Sequence, residues 1–285
     1  MERRRKIAIN AMILIRCAFI LVTGVTFLGA LLTAYSGLPG IPTTAGAAPQ
    51  PVVVSGAGDI TPVVERYRTL LGPDNGGEPG GKSTGRREIN WDKVPDEFAA
   101  PNFLPGDFFN APKAPRSRGA HFATPGRGVQ VSARRDNPSG TAVRFGHINP
   151  TYTKIFKTFS EERLFSPIGS NVVDMTFFVP GTGTPALTRG FGAVYTDVDL
   201  ERTHFEYFDR DGKSLGRFAV PLANNGLSFL GVLFDKPVIA RVRIEYGTVA
   251  LGPNDGPKND VSVMDDFIYG EPQAAAPTEA SPGGY

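Results

Sequence analysis

Residues 240–246 read Ala-Arg-Val-Arg-Ile-Glu-Tyr, and this stretch indicates the fold class most clearly. Charged and apolar side chains alternate along it, with Arg241, Arg243 and Glu245 on one face and Val242, Ile244 and Tyr246 on the other. A period of two residues is that of a β-strand with one buried face and one solvated face. We therefore predict a strand whose apolar face packs in a core.

Short apolar runs of the same kind recur on both sides of this stretch. The predicted strands are Arg87–Trp91, Gly119–Ala123, Gly128–Ala133, Val143–Ile148, Asn171–Val179, Gly190–Asp197, Thr203–Phe208, Ser214–Val220, Leu227–Phe234, Val238–Tyr246 and Val261–Tyr269. Turn formers separate them, and Asp209-Arg-Asp-Gly212 predicts a tight hairpin turn with Gly212 at positive φ. Many short strands with little helix predict an all-β sandwich, which we assign to residues 86–270.

The segments around the predicted sandwich have a different composition. Residues 48–60 are small and proline-rich, which predicts a linker, and residues 61–85 predict a short helix followed by a Gly-rich loop. The helix begins at Thr61-Pro62 and ends at Gly72, with Val63, Tyr67, Leu70 and Leu71 on one face. Residues 92–118 predict an irregular Pro/Phe-rich arm over the sandwich, and residues 271–285 predict a disordered tail.

The first 47 residues have the three parts of a secretory signal peptide. A basic start, residues 3–6, precedes an apolar stretch, Ile7–Ala34, and the small residues Ala45-Gly-Ala47 follow. An uncleaved membrane anchor is the alternative, because Cys17–Ala34 is 18 mostly apolar residues. Both readings predict a secreted, periplasmic or cell-envelope protein that contacts a membrane only through this leader.

Charge and cysteine content limit the partners of the remaining chain. Residues 1–47 contain five basic residues and one acidic residue, which leaves 25 basic and 27 acidic residues and a net charge of −2. This balance argues against a nucleic-acid partner, which requires clustered positive charge. The single cysteine, Cys17, lies in the leader, so the domain has no disulfide and depends on core burial, with or without a metal.

A nucleotide site is also disfavoured, although one motif matches. Gly76–Ser83 satisfies the P-loop formula, but that loop requires a strand before it and a helix after it. The pattern predicts the reverse order, so we interpret the segment as a flexible Gly-rich loop and expect no nucleotide.

Two adjacent aspartates interrupt the predicted last strand, Val261–Tyr269. Strict alternation puts Asp265 and Phe267 on one face and Asp266 and Ile268 on the other, so one carboxylate points to the core or its margin. A buried carboxylate requires a cation, an arginine or several amide donors.

Calcium is the cation that suits an all-oxygen site in an exported protein without cysteine. The first predicted strand offers opposite ligands, so the candidate metal site consists of Asn90, Asp92, Asp265 and Asp266. An Asp–Arg pair or a turn carboxylate is the alternative.

Several segments resemble a family of uncharacterised bacterial secreted proteins. They include Arg86–Asp92, Arg118–Ala123, Leu164–Asn171, Gly190–Asp197, Leu227–Val232 and Val263–Pro272. The arrangement is also similar to the jelly-roll domains of PEP-CTERM-sorted exported proteins, although the Pro-Glu-Pro motif, terminal helix and basic tail of those proteins do not occur. The resemblance implies a single jelly-roll sandwich of the galactose-binding or carbohydrate-binding-module kind, with a structural Ca²⁺ between its first and last strands.

These observations leave three functional classes. We expect an exported, non-catalytic binding module for an extracellular glycan or matrix component, with Tyr152, Tyr195 or Tyr207 as candidate sugar-stacking residues. The alternative for each tyrosine is a partly buried position in the core. A glycan-active enzyme with paired carboxylates is the first alternative, and Asp197 with Asp199 is one of several such pairs. A structural cell-envelope protein is the second.

Overall fold

The computed structural model of the protein describes residues 50–275. The predicted leader, residues 1–47, and residues 276–285 of the predicted tail lie outside the described residues. The helices are α1 (Thr61–Leu71) and α2 (Tyr152–Ile155), with one 3₁₀ turn at Asp96–Phe98. The strands are β1 (Val52–Ala57), β2 (Arg86–Ile89), β3 (Ala120–Ala123), β4 (Gly128–Val131), β5 (Phe165–Ile168), β6 (Val172–Phe177), β7 (Ala186–Leu187), β8 (Gly190–Val198), β9 (His204–Phe208), β10 (Ser214–Ala219), β11 (Ala223–Leu233), β12 (Arg241–Glu245), β13 (Val263–Gly270) and β14 (Gln273–Ala274).

The strands form two main antiparallel sheets. The first sheet has the order β1-β11-β8-β13-β5-β4, with β2 also paired to β13, and the second has the order β10-β9-β12-β6-β3. Side chains from both sheets share one core, in which the rings of Phe191 and Phe205 lie 5.1 Å apart. The prediction of a mostly β protein with antiparallel sheets is confirmed.

The burial of residues along strand β12 follows the alternation that predicted the strand. Val242 and Ile244 are fully buried, whereas Arg241 and Arg243 both form ion pairs with Asp174 on the neighbouring strand β6. The alternation therefore separates a core face from a charged face, as the sequence indicated.

The outer face of the first sheet is covered by α1, which buries Val64, Tyr67 and Leu71. Tyr67 lies against Gly231 and donates a hydrogen bond to the carbonyl of Val232. The helix was predicted with nearly correct bounds. Its buried face differs from the prediction because Val64 is buried while Leu70 is partly exposed.

The predicted linker, residues 48–60, is wrong for most of its described length. Val52–Ala57 forms the edge strand β1 and pairs with β11 from Leu233 to Ser228. Strand β1 lies close to helix α1 because Gly56 has no side chain. A Cβ at this position would lie only 2.8 Å from the side chain of Val63. The sandwich therefore begins before residue 86.

One predicted strand is absent from the described structure, and the short strands β5, β7 and β14 were missed. Val143–Ile148 forms turns, with only a single bridge between Val143 and Ala133. Strand β5 was missed because Pro167 interrupts its apolar run, although it pairs with β4. Sequence periodicity cannot tell which short apolar run forms a strand, because this depends on whether a partner strand lies beside it.

The predicted arm, residues 92–118, packs on the sandwich through part of its aromatic content. Phe108 and Phe109 are buried, and the ring of Phe109 contacts Trp91 at 5.6 Å. Phe103 is 43% exposed and does not belong to the core. Trp91 is the central residue of this region, because its ring also stacks on Phe165 at 4.3 Å.

Candidate functional site

A β-bulge at Asp265 and Asp266 sets the direction of both carboxylates. Along β13, Met264 pairs with Tyr195 and Phe267 with Ala193, so three steps on β13 oppose two on β8. Met264 and Phe267 consequently both face the main core. The alternation predicted for Val261–Tyr269 is wrong at this point, because a bulge inserts one extra residue and shifts the register.

Both aspartates are held by elements that cover the outer face of the first sheet. Asp265 Oδ2 accepts hydrogen bonds from the amides of Phe159 (2.6 Å) and Ser160 (3.2 Å), and Oδ1 accepts one from Ser160 Oγ (3.0 Å). Asp266 Oδ2 lies 3.4 Å from Nη2 of Arg68 on α1. The bulge thus fastens a loop and a helix to the sheet.

Asp92 joins this group, whereas the side chain of Asn90 does not. Asp92 Oδ1 accepts a hydrogen bond from the amide of Arg163 at 3.2 Å, and Ser160 also hydrogen-bonds to its carboxylate. Asn90 is exposed, and only its backbone carbonyl lies near, 3.5 Å from Ser160 Oγ. Three of the four predicted ligands therefore lie around one serine.

Burial changes the protonation of these three acids. Burial raises the pKa of Asp92 to about 6 and raises the pKa of Asp265 well above its usual range, with the charge of Asp266 adding to the latter. Burial also raises the pKa of Asp266, against hydrogen bonds from Ser160 and Asp265. These shifts favour a proton shared between Asp265 and Asp266 over two adjacent charges.

Calcium at this place remains a prediction. Amides, a hydroxyl and Arg68 already supply donors to the carboxylates, although Asp266 Oδ1 is buried without a hydrogen-bond partner. Within residues 50–275, no group of three or more His, Cys, Asp or Glu side chains is arranged to hold a metal ion. The contacts therefore fit an Asp–Arg and amide-donor arrangement, which the sequence left open.

The Gly-rich loop that matches the P-loop formula surrounds the side chain of Arg87. The guanidinium of Arg87 donates to the carbonyls of Gly76 (3.2 Å), Glu78 (2.7 Å) and Gly80 (3.0 Å). Nε and Nη2 of Arg87 also donate to the two carboxylate oxygens of Glu271, both at 2.8 Å. The loop directs carbonyl oxygens inward, whereas a phosphate requires amide N–H groups.

Glu271 corrects the predicted boundary of the tail. Residues 271–285 were predicted to be disordered, but Glu271 is fully buried beside Arg87, and Gln273–Ala274 forms β14, which pairs with β7. The amide of Lys82 and Nδ2 of Asn75 donate to the same carboxylate. The ordered domain extends at least to residue 275.

A second group of acids lines a cavity of about 410 Å³, which we call the acid pocket. Its polar wall consists of Asp197, Asp199, Asn224, Asn225 and Asp255. Its apolar wall includes Ile155, Leu200 and Pro257. The pocket lies where β8 ends and β11 begins, and residues 255–257 line its other side.

Local backbone geometry builds the acid pocket. The pairing of β11 with β8 shifts register between Ala223 and Leu227, and Asn225 (φ 52°) and Asp197 (φ 64°) both have left-handed backbone conformations. The amide of Asn225 donates to Asp197 Oδ1 at 2.7 Å. Asn and Asp tolerate this conformation better than most residues, which explains their occurrence at the irregular strand ends.

The carboxylates of the acid pocket are poorly compensated. Asp197 is 2% exposed, and burial raises its pKa to about 7, with Asp199, Asp255 and Asp260 adding to the increase. Asp260 lies behind the pocket wall, where its Oδ2 accepts hydrogen bonds from the amides of Asp199 and Leu200, and burial raises its pKa to about 6. The pocket therefore favours ligands that bring hydrogen-bond donors.

Sequence reasoning found only part of this pocket. It listed Asp197 and Asp199 as one carboxylate pair among several, and it missed Asn224, Asn225, Asp255 and Asp260. The available signal was the Asn-Asn-Gly sequence at 224–226, which favours positive φ beside a strand. Its proximity to Asp197 depends on strand pairing and could not be predicted from spacing.

The tyrosines predicted to stack on sugars are core residues. Tyr152, Tyr195 and Tyr207 are all fully buried. The hydroxyl of Tyr207 donates to the carbonyl of Phe191, and the ring of Tyr195 lies 5.5 Å from that of Phe205. None of the three has a face available to a ligand, so stacking on a sugar is excluded and the alternative, a position in the core, is confirmed.

Comparison with known proteins does not assign the chain to a family. No family model, no curated protein and no solved structure matches it. None of the helices described between residues 50 and 275 is long and apolar enough to cross a membrane.

Proposed function

We propose that the chain is an exported, non-catalytic module that binds an extracellular glycan in the acid pocket. The observation that supports this is the convergence of Asp197, Asp199, Asp255, Asn224 and Asn225 on one cavity. Carboxylate and amide oxygens accept hydrogen bonds from hydroxyl groups, and amide nitrogens donate to them. A polyhydroxylated ligand matches such a wall at many points.

The size and apolar wall of the cavity agree with this ligand class. Its volume of about 410 Å³ falls within the usual range for small-molecule sites. Ile155, Leu200 and Pro257 offer apolar contacts for the C–H groups of a sugar ring. The proposed export rests on the leader sequence, and the resemblance described above supports a glycan-binding module.

A glycan-active enzyme is the second candidate, because Asp197 has the properties of a general acid. Burial raises its pKa to about 7, so it retains its proton near neutral pH, and Asp199 lies in the same cavity. Glycoside hydrolysis requires two carboxyl groups in one cleft. Burial also raises the pKa of Asp199.

A titration of the full chain with oligosaccharides of glucose, galactose, mannose and hexosamines would test the proposal. We expect binding to at least one series and a loss of about tenfold or more in affinity for Asp199→Asn. The matched control is Asp211→Asn, an exposed aspartate in the β9–β10 turn, which should bind as the original chain does. Release of shorter sugars during incubation would favour the enzyme, and absence of binding to every series would refute the glycan function.

The calcium prediction has its own test. If Ca²⁺ binds at Asp92, Asp265 and Asp266, the melting temperature should fall on addition of EDTA and recover with Ca²⁺. A melting temperature unaffected by both would exclude a stabilising calcium site and leave the glycan proposal unchanged.

A further inference from the structure

The charged side chains that line the acid pocket are all acidic. Asp197, Asp199 and Asp255 line it, and Asp260 lies directly behind Asp199 and Leu200. Among the described residues, no lysine, arginine or histidine lines this cavity. The nearby Lys157 directs its Nζ to the carbonyl of Lys154, at 2.6 Å.

Two buried carboxylate oxygens, one in the pocket wall and one behind it, have no hydrogen-bond partner. Asp260 is fully buried, and its Oδ1 accepts no hydrogen bond, although its Oδ2 accepts two. Oδ1 of Asp199, which lines the cavity, is likewise buried without a partner. A buried carboxylate without a counter-charge is costly. It either keeps a proton, as the raised pKa values of Asp197 and Asp260 indicate, or binds a positively charged ligand that releases this proton.

We infer that the acid pocket binds a ligand with a protonated primary amine, of the class of glycans built from hexosamines whose nitrogen is not acetylated. An ammonium group offers three N–H donors and a full positive charge to carboxylates. Hydroxyl groups of a neutral sugar offer donors without a charge. The inference rests on the proposed glycan function and specifies the ligand class of the same pocket.

An ammonium group suits this pocket better than a metal ion does. A calcium ion requires several oxygens converging at about 2.3–2.6 Å. Among the described residues, no group of three or more His, Cys, Asp or Glu side chains is arranged to hold a metal ion. Ammonium hydrogen bonds extend to about 2.7–2.9 Å and tolerate a looser arrangement. A sugar ring also fills the remaining cavity, which a single ion does not.

Calorimetric titration of the full chain with three matched oligosaccharides would test the inference. The ligands are β-1,4-linked trimers of glucosamine, N-acetylglucosamine and glucose, measured at about pH 6, where a sugar amine is protonated. We expect the glucosamine trimer to bind about tenfold or more tightly than the other two, and salt to weaken this binding. Asp199→Asn should remove most of the preference, whereas Asp211→Asn should retain it.

The outcomes separate the inference from the proposed function. Equal binding of all three trimers, or a preference that survives Asp199→Asn with an unchanged melting temperature, would overturn the amine inference and leave a glycan module. Binding of none of the trimers would overturn the amine inference, and a neutral series that binds in the broader titration would still support the glycan function. Saturable binding of Ca²⁺ at a single site, without binding of any trimer, would overturn the amine inference in favour of a metal.

Discussion

Replacing Glu271 by alanine tests the tertiary structure most directly, because the residue lies in a segment that the sequence predicts to be a disordered tail. In the structure, both Arg87 and Glu271 have fully buried side chains and share a two-point ion pair. The substitution leaves the guanidinium buried with its loop carbonyls but without a counter-charge. We therefore expect a large loss of stability.

The magnitude follows from the burial of the pair. Breaking a buried pair by removing one partner costs about 3–5 kcal/mol. The carbonyls of Gly76, Glu78 and Gly80 still solvate the guanidinium, which favours the lower end of this range. In a domain of this size, the corresponding decrease in melting temperature is roughly 6–20 °C.

Denaturant unfolding followed by the fluorescence of Trp91 would measure the loss, because Trp91 is the only tryptophan and is buried. The control is Glu97→Ala, at an exposed position, where we expect a change below about 0.5 kcal/mol. A loss of stability for Glu271→Ala no larger than that of the control would refute the buried ion pair. It would support the prediction that residue 271 belongs to a disordered tail.

Three further predictions concern packing, charge and the core. Gly231→Ala should destabilise the protein by about 1–3 kcal/mol, because its Cβ would lie 2.7 Å from the ring of Tyr67, whereas Gly183→Ala, with open space around it, should not; equal melting temperatures would contradict this packing. The folded-state pKa of Asp197 is raised to about 7, so its contribution to stability is present below about pH 4 and lost as the pH rises to about 7. Asp197→Asn should therefore gain stability relative to the original chain over that pH range, and a difference that does not vary with pH in urea unfolding would disprove the shift. Trp91→Phe should lower the free energy of unfolding by about 1–3 kcal/mol, because it leaves a buried backbone carbonyl without its indole donor at 2.8 Å; a melting temperature unchanged by this substitution would argue against that hydrogen bond.

Regular elements with a local signal were predictable from the sequence. Strand β12 and helix α1 show their periods within a single window, and the Asp209–Gly212 turn has Gly212 at φ 77°, with Asp209 Oδ1 accepting amide hydrogen bonds within the turn. These elements bury one face or close one turn with residues close in sequence, so few alternative structures compete.

Elements that depend on distant partners were not predictable. Strand β1 forms because β11, about 170 residues later, offers a free edge, and its small residues alone indicated only a linker. Asp92, Asp265 and Asp266 were expected to meet, and they do, but their compensation by Ser160 and Arg68 depends on the covering loop and helix.

The sequence by itself determined the β class, the helix and the turn, because hydrophobic period and backbone preference act over a few residues. Only the tertiary structure decided the bulge at Asp265, the burial of Glu271 and the acid pocket around Asp197. Each of these depends on which strands are neighbours and in which register, and a shift of one residue changes the face to which a side chain points. Composition and spacing along the chain do not contain that information.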